Sequence, residues 1–153
     1  MIKVLFICHG NICRSTMAES VFTDLVNKKG LADIFYINSA ATSREEIGNR
    51  VHYGTVNQLT KVGIPVIPHR AIQMTKADYD SYDYLIGMDI ANIRNMHRIV
   101  GSDPEGKIQK LLSFAGSGRD VADPWYTGDF ATTYDDVLIG CKGLLEKIIK
   151  EKL

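Results

Sequence analysis

The spacing of apolar residues changes several times along the chain. Residues 2–7, IKVLFI, form a nearly continuous apolar run of strand formers, the pattern of a strand covered on both faces. From Met17 the period lengthens. Met17, Val21 and Leu25 recur every four residues with Ala18, Phe22 and Val26 beside them, which predicts an amphipathic helix. Thr16 and Glu19 fit a capping box at its start. Residues 35–40, FYINSA, read as a second strand, residues 55–62 as a helix closed by Gly63, and residues 84–88, YLIGM, as a third strand. DYDSYDY ahead of that strand reads as an acidic, aromatic turn. Asp89 is placed to cap a helix running to about Val100, and residues 108–112 give a weaker fourth strand. Near the end Val137, Leu138, Cys141, Leu144, Leu145, Ile148 and Ile149 share one helical face, and Lys147, Lys150 and Lys152 suit its C-terminal dipole. Strands alternating with helices predict an α/β fold on a parallel sheet, with ligands gathering at the carboxyl ends of the strands. Cys8 falls at such an end.

Bulk properties narrow the function class. A length of 153 residues predicts one domain, 1–153, large enough for a single core. The 18 basic and 18 acidic side chains cancel and no basic stripe appears, so no nucleic-acid partner is expected. The apolar run over residues 4–8 is too short for a signal peptide or a membrane span. Three cysteines, an odd number, favour free thiols in a reducing compartment, and the cytoplasm is the expected location.

The chemistry concentrates in CHGNICRS, Cys8 to Ser15. Between the predicted strand and helix lie His9, Gly10, Asn11, Ile12 and Cys13, a short loop whose Gly and Asn tolerate unusual backbone angles. Such a loop turns its N–H groups inward as an anion nest, and the helix adds the positive end of its dipole. That cradle fits a phosphate and favours a thiolate on Cys8 at its base. Arg14 completes it, because a planar guanidinium grips two phosphoryl oxygens at once. Ser15 is placed to hydrogen-bond the sulfur when it leaves. A Cys ending an apolar strand is more often a small buried hydrophobe. Cys8 and Cys13 also lack the second ligand pair of a zinc site, and His52, His69 and His97 show no ligand spacing, so no metal is expected. The Gly-Lys-Ser/Thr ending of a nucleotide P-loop is absent.

A thiolate attacking a phosphate ester needs a proton donor for the departing oxygen. DPWY, Asp123 to Tyr126, is the best local source. Pro124 holds Asp123 extended, and Trp125 and Tyr126 would wall an aromatic leaving group. A plain turn with two aromatics on the core is an equal reading of these four residues alone.

Together the motifs VLFICHGNICRSTMAESVF, INSAATS, HRAIQMT, YDYLIGMD and DPWYTGDF run from end to end of the chain. In them the chain resembles the low-molecular-weight protein tyrosine phosphatases. The resemblance implies a four-stranded parallel sheet flanked by helices on both faces, in flavodoxin-like layering. It implies hydrolysis of phosphotyrosine proteins or small aryl phosphates through a cysteinyl-phosphate intermediate, releasing inorganic phosphate, with no metal or cofactor. By position it makes Cys8 the nucleophile, Arg14 the phosphate clamp and Asp123 the general acid and then base. Asn11 would hold the loop, Ser15, Ser39 and His69 would support it by hydrogen bonds, and Cys13 would be a redox partner shielding Cys8. Two positions depart from the family pattern. Glu45 occupies the cleft rim where an aromatic is frequent, and Thr16 stands where proline is common.

Three other functions are weighed. An arsenate reductase needs relay cysteines after the third strand, and YDYLIGMDIANIRNMHRIV has none. A protein-arginine phosphatase resembles threonine, not Ile12, before the second loop cysteine. A non-catalytic phosphate-binding module usually loses the nucleophile or the acid, and both are present here.

Overall fold

In the computed structural model, which describes residues Met1–Leu153, the first strand, β1 (Ile2–Cys8), lies inside a four-stranded sheet. Helix α1 (Arg14–Lys28) follows, then β2 (Phe35–Ala41), α2 (Tyr53–Lys61), the single turn α3 (Asp78–Ser81) and β3 (Tyr84–Gly87). Helix α4 (Ile90–Val100), β4 (Ile108–Lys110), a second single turn α5 (Pro124–Thr127) and the long α6 (Phe130–Lys152) complete the chain. All pairings are parallel and the order is β2-β1-β3-β4, so β1 is flanked by strands reached through connections on opposite sides. Cys8 pairs with Ala41 at the carboxyl edge, where that order opens a crevice.

Burial of β1 on both faces explains its unbroken apolar run. Val4, Phe6 and Cys8 enter a core shared with α1 and α6, while Leu5 and Ile7 enter another with Met96 and Val100 of α4. Phe22 of α1 meets Phe6 and Phe35 edge-on at 5.5 and 5.6 Å, and each such buried ring contributes about 1.5–3 kcal/mol. Val137, Cys141, Leu144, Leu145 and Ile148 are buried as the stripe on α6 predicts. That helix rests on a 3₁₀ turn (Leu111–Ala115) so closely that a Cβ on Gly143 would stand 2.1 Å from the Phe114 carbonyl oxygen. No helix is long and apolar enough to cross a membrane.

The differences from the sequence reading lie at element ends. Helix α1 begins at Arg14, so Thr16 and Glu19 do not form a capping box: Thr16 Oγ1 donates to the carbonyls of Ile12 and Cys13, and Glu19 is drawn into the interior. Asp89 does cap α4, with Asn92 returning the bond to complete a box. The fourth strand stops at Lys110, because Leu111 and Leu112 turn inward at the start of the 3₁₀ turn. DYDSYDY and DPWY each contain one helical turn; Asp123 caps the second by accepting from the Trp125 N–H.

Candidate active site

The loop from Cys8 to Arg14 wraps around the Cys8 sulfur. Its shape depends on Asn11, the one non-glycine residue with a left-handed backbone, at φ 60°. Asn tolerates that region better than most side chains, and here every polar group of the side chain is used. Asn11 Nδ2 donates to Ser15 Oγ at 2.8 Å, while Oδ1 accepts from the Ile72 N–H at 3.2 Å and lies 2.7 Å from His69 Nε2. An amide oxygen only accepts, so Nε2 carries the proton. The Asn11 N–H points at Cys8 Sγ, 3.3 Å away, and Ser15 Oγ lies 3.1 Å from the same sulfur. Because Ser15 accepts from Asn11, its own hydroxyl proton is free for the sulfur.

A second row of groups lies behind this one. Glu19, nearly buried, accepts a hydrogen bond from Ser39 Oγ and lies 3.6 Å from His69 Nδ1. Hydrogen bonds therefore join His69 through Asn11 and Ser15 to Cys8, and Ser39 and Glu19 form a separate bonded pair behind His69. Burial pushes the Glu19 carboxyl up from 4.5 to about 7, against the pull of the Ser39 hydrogen bond, and burial lowers His69. Glu19 thus holds its proton more tightly folded than unfolded, and stability drains away as pH rises between those values. Relative to wild type, Glu19→Gln should gain stability by about 1–3 kcal/mol from pH 4.5 to 7. Urea unfolding at a series of pH values measures this, and a constant difference would contradict it.

Arg14 starts α1 with its side chain only 2% exposed. Its Nη1 donates to Asp89 Oδ2 at 2.7 Å and to the Val121 carbonyl at 2.9 Å. Burial works against the charge, but nearby Cys8 together with Asp89 and Asp123 holds the guanidinium above its ordinary value. Asp123 Oδ2 stands 3.5 Å from Nη2 at the mouth of the site. A cavity of about 390 Å³ opens there, with Cys8, Gly10, Ile12 and Cys13 below and Asp123, Trp125 and Tyr126 on one wall. His9, Glu45 and Glu46 form the other wall, and His9 pairs with Glu45.

A family model for low molecular weight phosphotyrosine protein phosphatase matches residues 3–153. The chain belongs to that family. It is 42% identical over 154 residues to the low molecular weight protein-tyrosine-phosphatase YfkJ of Bacillus subtilis, covering 99% of both chains. The YfkJ crystal structure superposes with a TM-score of 0.96 over 100% of this chain and 98% of that one, at 41% identity. The human low molecular weight phosphotyrosine protein phosphatase is 38% identical over 150 residues, 95% of this chain and 94% of its own.

Of the residues expected at the site, Cys8, Arg14, Asp123, Asn11, Ser15 and His69 lie together, and Ser39 stands behind them, bonded to Glu19. Two members escaped the sequence reading. Asp89 was legible only as a helix cap, yet its other oxygen holds Arg14. Glu19 looked like half of a capping box. Its one distinguishing signal was an acidic residue amid the apolar stripe of α1.

Proposed function

We infer that the chain is a protein-tyrosine-phosphatase hydrolysing phosphotyrosine and other aryl phosphate monoesters at Cys8. What supports this most is a sulfur at the cavity floor that faces an N–H and a hydroxyl, beside a buried guanidinium anchored on its far side by Asp89 and Val121. Cys8 attacks phosphorus, the bond to the phenol oxygen breaks, and Asp123 delivers the proton that oxygen needs. Arg14 and the loop N–H groups meet the charge on the phosphoryl oxygens, a task that calls for no metal or cofactor. Asp123 then takes a proton from water as it attacks the cysteinyl phosphate, inorganic phosphate leaves, and Ser15 steadies the departing sulfur. Trp125 and Tyr126, 56% and 83% exposed, are available to flank the substrate ring.

Cys13 suits its suggested redox role to the extent that it is a free thiol in the same loop. Burial, with the Cys8 charge next, pushes it up to about 12, so it is a protonated thiol at neutral pH. Three free cysteines also suit the cytoplasm. Steady hydrolysis of para-nitrophenyl phosphate and of a phosphotyrosine peptide in EDTA, inhibited by vanadate, tests the assignment. Loss of activity in EDTA would overturn it.

Arg14→Lys separates a clamp from a mere charge. One ammonium cannot bond Asp89, the Val121 carbonyl and two phosphoryl oxygens together. The kcat/KM should fall about 10²–10³-fold, the worth of a lost transition-state donor. A variant retaining most of its activity would show that charge alone suffices.

A further inference from the structure

His52 has no part in the chemistry described above, yet it stands between the two halves of the site. Its backbone N–H donates to the Ile12 carbonyl of the phosphate loop at 2.8 Å. Its ring lies flat against Phe130 at 5.3 Å and 15°, and meets Trp125 edge-on at 5.6 Å and 76°. Trp125 lies in the turn that follows Asp123 and Phe130 opens the helix after it, and the Trp125 backbone N–H is bonded to Asp123 Oδ1 at 3.0 Å. Phe130 sits so near α2 that a Cβ on Gly54 would lie 2.3 Å from its ring. The same imidazole also caps α2, its Nδ1 accepting from the Gly54 N–H at 3.0 Å. The ring also stacks on neighbouring Tyr53 at 4.4 Å. One side chain thus does two separable things: it caps α2 with a ring nitrogen, and it holds the acid-bearing segment through Phe130 and Trp125.

We propose that His52 is a positioning residue: its ring, clasped between Trp125 and Phe130, sets where Asp123 stands relative to the phosphate loop. Trp125 is more than half exposed, and His52 is the aromatic neighbour its ring meets. Without that neighbour the indole no longer anchors its turn, and as the turn loosens, the Trp125 backbone N–H that holds the Asp123 carboxylate shifts with it. A misplaced acid costs most when the leaving group cannot depart unprotonated. The clasp should therefore favour poor leaving groups such as the tyrosine phenolate over acidic phenols. This rests on Asp123 being the acid.

Two substitutions split the roles. His52→Asn keeps a good cap and removes the ring; His52→Phe keeps the ring and removes the cap. With His52→Asn, kcat/KM on a phosphotyrosine peptide should fall roughly tenfold or more, a part of what a general acid is worth, and on para-nitrophenyl phosphate less than about twofold. His52→Phe should hold both near wild type, even with a lowered Tm. The chain's single tryptophan gives a readout independent of catalysis. Acrylamide should quench Trp125 emission more strongly in His52→Asn than in wild type or His52→Phe. Unchanged quenching in His52→Asn would overturn the clasp. Equal losses on the two substrates, or a His52→Phe loss as large as that of His52→Asn, would overturn the positioning of Asp123. Failure of the wider reading looks different: Asp123→Asn itself would then show no leaving-group dependence while the quenching contrast remained.

Discussion

Cys8→Ser should bind phosphotyrosine peptides and turn none of them over. The side chain's neighbours are the Ser15 hydroxyl and the Asn11 N–H, which stabilise a negative sulfur but cannot accept a proton from a hydroxyl. A serine there stays neutral and un-nucleophilic. The loss should exceed about 10⁴-fold in kcat, since the covalent route is removed altogether. Binding should survive, because Arg14, the loop N–H groups and the aromatic wall are untouched. Calorimetric titration with a phosphopeptide, beside a phosphate-release assay, reads both quantities. Residual turnover above about one per cent would place the nucleophile elsewhere.

The next largest effect belongs to Asp123, and it depends on the substrate. Asp123→Asn removes a transferable proton but keeps an oxygen to accept from the Trp125 N–H, so the turn should survive. On phosphotyrosine the rate should drop about 10²–10⁴-fold, the usual worth of general acid catalysis. On para-nitrophenyl phosphate the phenolate leaves without help, and the loss of kcat/KM should be much smaller. Plotting log kcat/KM against leaving-group acidity for a series of aryl phosphates displays the contrast as a steeper slope. Parallel lines would mean that Asp123 only shapes the loop, leaving Asp120 or Asp129 to be tested. Those two have other partners: Asp120 pairs with Lys110 and Asp129 caps α6.

Much of this was readable from residue order because the relevant signals are local. The two-sided apolar run of β1, the four-residue period of α1 and the loop between them lie within one stretch of chain, so Cys8, Arg14 and Ser15 could be named with reasons. Asp123 was nameable because proline and two aromatics mark it. Glu19 and Asp89 were hidden because each also satisfies a local rule, a capping box in one case and a helix cap in the other. The capping box proved false because helix α1 starts earlier, where the loop hands its carbonyls directly to Thr16. The cap proved true but incomplete, since the bond from Arg14 to Asp89 spans 75 positions that no periodicity reports. His52 was invisible for the same reason: its partners are ordinary aromatics until folding stacks them.

Arg14 also bears on how the protein comes apart. Its cation is out of water, and the groups answering it belong to three stretches of chain: the phosphate loop, the start of α4, and the segment from Val121 to Asp123. Withdrawing one partner leaves a buried charge short of compensation, a penalty of about 3–5 kcal/mol for a broken buried pair. Surface segments of this kind ordinarily fray by themselves at little cost. Here the fraying of one is taxed by the ion common to all three. Partial openings that would expose a reactive thiol while leaving the sheet intact carry that penalty, which ties the integrity of the site to the packing of the segments around it.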